Sequence, residues 1–129
     1  MDESRSGREK FDTWDANLAS HAPAVQAAAR ALEALIREEV PDVVVRYDRG
    51  DGLLAFGRGT GMRDLLFALI PHRGWVNLQL ADGALLPNPD GLIEGTGKRI
   101  RHVKVRSAEA ARDERVRTIV REQGFAPGG

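Results

Sequence analysis

The sequence predicts an α+β fold: a two-layer sandwich in which a mainly antiparallel five-stranded sheet carries two helices on one face, with a short N-terminal helix in addition. Three observations carry this expectation. Residues 24–40 repeat apolar side chains with helical period; residues 43–80 change to β-branched, alternating segments joined by short glycine-bearing links; and the element order, helix, four strands, connection, strand, helix, segregates helices from an antiparallel sheet. At 129 residues the chain has the size of one domain. Residues 1–20 read as an extension bearing the short helix, 21–124 as the domain, and 125–129 as a disordered tail.

Each element has its own reason. Residues 1–9 mix charged and small residues without apolar periodicity and read as a disordered lead-in. Phe11, Trp14 and Leu18 then recur at i, i+3 and i+7, a stripe suited to docking, with Asp12 or Thr13 placed to cap its start. In the long helix Val25, Ala28, Ala29, Leu32, Leu35 and Ile36 form the apolar face, while Gln26, Arg30, Glu33 and Arg37 line the other. Pro23 suits its first turn and Pro41 ends it. Strands follow at 43–47, 53–56, 64–71 and 75–80, with links at 49–52, 57–61 and 72–74 that carry the glycines hairpin turns require. Residues 82–97 form an irregular connection, residues 99–106 a fifth strand, and Ser107 caps a final helix with Val116, Ile119 and Val120 as its stripe.

The third strand raises a question about the second sheet face. Leu65, Phe67 and Leu69 alternate with Leu66, Ala68 and Ile70, so both faces read as apolar. The expectation is a cover over the second face, supplied by the Phe11/Trp14 helix or by a second copy of the chain in a homodimer.

Composition removes whole classes of chemistry. The absence of cysteine excludes disulfides, thiolate catalysis and cysteine-ligated metals. The 19 basic and 19 acidic residues balance, which argues against a dedicated nucleic-acid binder or a polybasic membrane-surface protein. No apolar run approaches the roughly 20 residues a membrane span needs, and the charged N-terminus lacks a signal-peptide core, so a cytoplasmic location is expected.

The balance is a local cancellation. Lys98, Arg99, Arg101, Lys104 and Arg106 carry five positive charges without an acid, while the first helix and hairpin concentrate Glu38, Glu39, Asp42, Asp48 and Asp51. On a strand Lys98, His102, Lys104 and Arg106 share one face, and Val103 and Val105 share the other with Arg101. Such a row protects a sheet edge from aggregation or binds anions. Trp75, Asn77 and Gln79, on one face of the preceding strand, add stacking and amide hydrogen bonds to the second reading.

Gly95-Thr96-Gly97-Lys98-Arg99 invites comparison with a phosphate-binding loop, and fails it. Leu92 stands where the first glycine belongs, Arg99 replaces the magnesium-binding hydroxyl, and a strand follows instead of a helix. The glycines at 57, 59 and 61 lack the spacing of a dinucleotide fingerprint. His21, His72 and His102 have no metal-ligand spacing, no serine sits in a nucleophile elbow, and no carboxylate pair stands out as an acid/base dyad. The chain therefore reads as a binding domain and not as an enzyme.

The segment Leu92-Ile93-Glu94-Gly95-Thr96-Gly97-Lys98-Arg99-Ile100-Arg101-His102-Val103-Lys104-Val105 resembles the signature of the YdhG-like proteins, also called domain of unknown function 1801. With the helix ending near Pro41, the hairpin Tyr47 to Phe56, the apolar strand Leu65 to Ile70, and Trp75 to Leu78 before Pro87, the resemblance covers residues 24–122. It implies a small bacterial protein with an α+β fold related to the frataxin-like group. The primary reading is a non-enzymatic domain without cofactor that recognises a small anionic molecule or a protein partner through Gly95, Thr96, Gly97, Lys98, Arg101, His102, Lys104, Trp75 and Asn77. Nucleic acid and membrane are not expected partners. A frataxin-like iron chaperone is the alternative the resemblance implies, with Glu38, Glu39 and Asp42 as metal-binding residues, although Arg30, Arg37 and Arg46 interrupt that acidic surface.

Overall fold

A computed structural model describes residues 10–126, and the lead-in expected at 1–9 and the end of the tail at 127–129 lie outside the described residues. Pro23 opens the long helix α2, Pro23–Glu39, whose apolar face buries Val25, Ala28, Ala29, Leu32, Leu35 and Ile36. The alternating segments become strands β1 (Val44–Asp48), β2 (Leu53–Gly57), β3 (Leu65–Pro71), β4 (Val76–Leu80) and β5 (Arg101–Val105). All neighbours pair antiparallel in the order β1-β2-β3-β4-β5, which gives the α+β fold the sequence predicts.

One sheet face carries Leu54, Phe56, Phe67, Leu69, Val76, Leu78, Leu80, Val103 and Val105, and these share a single apolar cluster with α2 and the C-terminal helix. Phe56 and Phe67 are opposite one another in the register and fully buried. Each aromatic of this kind stabilises the fold by about 1.5–3 kcal/mol through burial alone.

The final helix is two helices. Ser107 caps only α3, Ala108–Ala111, by accepting from the Ala110 amide; Asp113 starts α4, Glu114–Gly124, by accepting from the Arg115 amide. The tail is also held further than expected: Arg58 donates to the carbonyls of Gly124 and Ala126 at 3.2 and 2.6 Å, and Ala126 is buried.

Two expectations about the second sheet face are corrected. The short helix α1, Trp14–Ala19, capped by Thr13, lies on the helical side: Trp14 and Leu18 join the cluster around α2, the Trp14 indole donates to Glu33 at 3.0 Å, and its ring packs on Tyr47. Tyr47 in turn donates to the Phe11 carbonyl at 2.9 Å. It therefore extends the helical layer over β1 and leaves the opposite face open.

The second correction concerns Leu66. Phe56 pairs with Phe67 and Gly57 with Leu65, so Leu66 is an extra, unpaired residue on β3. A bulge of this kind resets the alternation, and Leu66 is fully buried in the same cluster as Phe67. What remains in the middle of the open face is Ala55 and Ala68, paired in register and short enough to be sheltered by their neighbours. The open face is therefore less apolar than the run Leu65 to Ile70 suggests.

Candidate functional site

Register places the open-face residues in rows across the sheet. Arg46, Ala55, Ala68, Gln79 and His102 form one row, and Ile70, Asn77 and Lys104 the next. Trp75, two residues before Asn77, continues that side of β4, and the His72 amide donates to the Trp75 carbonyl at 2.8 Å across the hairpin turn. Cationic side chains from β1 and β5 thus flank a low alanine floor.

The most organised part lies around Trp75. Its indole donates to Asn77 Oδ1 at 2.7 Å, which orients the ring. His72 stacks on it from the β3 side, with centroids 5.0 Å apart and planes 20° apart, and Lys104 Nζ stands 5.1 Å from the ring centroid on the β5 side. A cation over an indole gains roughly 0.5–1 kcal/mol at a half-exposed site. His72 and Lys104 both stand against the ring, so Trp75 serves as a brace for them.

Burial lowers the His72 pKa, and the neighbouring His102, His21 and Lys104 lower it further. Its Nε2 is buried without a hydrogen-bond partner. The nearest carboxylate to Lys104 is that of Glu94, 3.8 Å away and half-exposed. Glu94 is fixed through its backbone, which exchanges two hydrogen bonds with His102 at 2.7 and 3.0 Å and covers part of the outer edge of β5.

Of the residues expected to bind, Trp75, Asn77, His102 and Lys104 come together on the open face. Gly95, Thr96, Gly97 and Lys98 form an exposed loop before β5. The strand begins at Arg101, so Lys98 is not in the row with His102 and Lys104. Because Val105 pairs with Val76 and Arg101 with Leu80, that loop and Trp75 lie at opposite ends of β5, on the order of 13 Å apart along the strand. The expected anion site is therefore drawn out along β5, with Gly95 beside His102, where a Cβ would stand 3.5 Å from the His102 Nδ1, and Lys98 beyond the Arg101 end.

Arg101 projects from the other side, and its Nε donates to the Gly97 carbonyl at 2.7 Å. Glycine is required beneath it: a Cβ at Gly83 would stand 2.5 Å from the Arg101 Cβ. Arg99 is structural too, since its guanidinium pairs with the buried carboxylate of Asp82. Burial raises the Asp82 pKa, but hydrogen bonds from Arg99 and Gln123 outweigh it and the net direction is downward. Sequence reasoning missed His72, Arg46 and the Asp82-Arg99-Gln123 network; the turn position of His72 and the long separations in the network leave no periodic signal.

The carboxylates named for iron are engaged otherwise. Glu39 accepts from Arg117 at 2.6 Å and Arg121 at 2.9 Å, and Glu38 accepts from Arg117 at 2.9 Å, which ties the end of α2 to α4. Arg121 and then Arg117 pull the Glu39 carboxyl below its usual range against a small burial effect. Asp42 stands apart on the following turn, and no three potential ligands gather into a metal site among the described residues. A cleft of about 140 Å³ between Pro87, Pro89 and Leu92 and the α4 residues Arg115, Thr118, Ile119 and Glu122 contains none of the expected binding residues.

No family model matches the chain, and neither does any curated protein or solved structure. No helix among the described residues is long and apolar enough to cross a membrane.

Proposed function

We propose that the protein is a non-enzymatic binding domain that recognises an anionic group, on a small molecule or an acidic polypeptide, at the end of the open sheet face around Lys104. The observation that supports this is the bracing of Lys104 over Trp75 beside Asn77 and His72, with Glu94 as a loose counter-ion that an incoming anion can displace. Arg46 on the same face, and Arg106 following β5, add positive potential. The YdhG-like resemblance belongs to this proposal as well. Its support is the segment Leu92 to Val105 and the observed element order, in which that segment follows a four-stranded meander, contains β5 and precedes the closing helices.

The test uses inorganic phosphate and, separately, polyglutamate as probes, followed through the two indole N–H resonances. The Trp75 signal shifts on titration and the buried Trp14 signal does not. Lys104→Ala abolishes the shift while leaving the melting temperature within a degree or two. Absence of any Trp75 shift with both probes, or its persistence in Lys104→Ala, refutes the proposal.

A further inference from the structure

Among the described residues, the exposed large apolar side chains are Val44, Met62, Leu85, Ile100 and Phe125. All five stand at one end of the sheet, opposite the Trp75 turn. Val44 begins β1, Met62 lies at the tip of the β2–β3 loop, and Leu85 follows β4. Ile100 precedes β5, and Phe125 ends α4 where Arg58 of the β2–β3 loop clasps it. The Ala84 amide bonds the Arg99 carbonyl at 2.9 Å, which sets Leu85 beside the Arg99–Ile100 segment. Met62 is 93% and Phe125 77% exposed, values that mark protruding tips and not the walls of a groove.

Two exposed cations stand beside these tips, Arg63 next to Met62 and Lys98 two residues before Ile100. Arg58, Arg99 and Arg101 at the same end are held within the chain, by the Gly124 and Ala126 carbonyls, by Asp82 and by the Gly97 carbonyl respectively. Of the acids in the loops that carry these tips, Asp82 is buried against Arg99 and Gln123, Asp64 accepts from the Gly61 amide at 3.0 Å, Glu94 faces Lys104 at 3.8 Å, and Asp90 is exposed. Glu38 and Glu39 at the nearby end of α2 are held by Arg117 and Arg121, and Asp42 on the following turn is exposed.

We infer that this end of the molecule docks on an anionic lipid surface, with Met62, Leu85, Ile100 and Phe125 entering the headgroup boundary and Arg63 and Lys98 meeting lipid phosphates. Apolar tips on separate loops need a deformable apolar partner; a rigid protein would have to offer several matched pockets spread across the width of the sheet. Long basic side chains flanking apolar ones keep their charge at the headgroups while the tips insert.

Co-sedimentation of the full chain with vesicles decides the matter. The protein pellets with an equal mixture of phosphatidylcholine and phosphatidylglycerol, remains in solution with phosphatidylcholine alone, and is released by salt. Arg63→Ala weakens binding about 5-fold, the effect of one surface cation (about 1 kcal/mol). Met62→Asp with Ile100→Asp weakens it more than 10-fold, and Arg73→Ala, on the opposite turn, leaves it unchanged. These residues are exposed, and an unaltered melting temperature confirms that each variant is folded. The inference is overturned if wild type does not pellet with the mixed vesicles, if the rim variants pellet like wild type, or if sedimentation velocity reveals a dimer that Met62→Asp dissociates.

Discussion

Asp82 ends the β4 side of the sheet with a carboxylate only 1% exposed, and the guanidinium that neutralises it comes from Arg99, at the far end of the irregular connection. Gln123 completes the arrangement from α4, its amide donating to Asp82 Oδ2 at 3.0 Å while its oxygen accepts from the Asp82 amide at 2.8 Å. One buried acid thus joins β4, the connection and the C-terminal helix.

Removing that carboxylate leaves the Gln123 amide donor unpaired in the interior. Asp82→Ala lowers the unfolding free energy by about 2–3 kcal/mol in urea titration, less than the figure for a fully buried pair because Arg99 is half-exposed. Arg99→Ala is also destabilising, and the double variant loses less than the sum of the two. Because the folded Asp82 pKa is depressed, its contribution is present above the ordinary carboxylate range and disappears as pH falls through the folded value. Arg99→Ala accordingly moves the acid-unfolding midpoint upward.

The two glutamates ending α2 differ in burial, and their variants differ with them. The Glu39 side chain is sheltered and held by two arginines, whereas that of Glu38 is mostly exposed. Glu39→Ala lowers Tm by roughly 3–4 °C, and Glu38→Ala by less than about 1 °C. Equal effects would show that the α2–α4 clamp does not depend on this geometry.

His72 makes stability depend on pH near neutrality. Its folded pKa lies below the unfolded value, so the unfolded chain takes up the proton first and stability falls as pH drops through about 6.5. Above that range both states are neutral and the contribution is constant. His72→Phe keeps a ring against Trp75 and flattens the Tm profile between about pH 7 and 5.5; an unchanged slope contradicts the assignment.

Leu66 and Ile70 have the same parity on β3 yet different surroundings. Leu66→Ala costs about 2–4 kcal/mol, as for a core leucine, while Ile70→Ala on the open face costs roughly 1 kcal/mol, measured by urea unfolding of both variants.

That pair also marks where sequence reading succeeds and stops. The helix from Pro23 and the strands through Val103 and Val105 follow from apolar spacing, because burial on one face enforces a period. The bulge adds one residue within an unbroken apolar run, so nothing in Leu65 to Ile70 distinguishes it. Trp75, Asn77, His102 and Lys104 are legible as a group because strand alternation assigns each a side. Lys98 joins that row, and Arg99 the same charged run, only because all cations look alike in a run; separating them needs the position at which β5 starts and the buried acid that claims Arg99. The division between α3 and α4 was hidden because Ser107 already supplies a satisfactory cap.

The sequential sheet order has a kinetic consequence. β1 to β4 pair through adjacent hairpins, so three of the four interfaces form from local encounters. Only β4 and β5 must find each other across residues 81–100, and loop-closure entropy falls on that step. A meander that zips early and waits for its last strand will expose the Leu78 edge during refolding. The speed with which Arg99 reaches Asp82 then sets how long the unfinished edge is open to other chains.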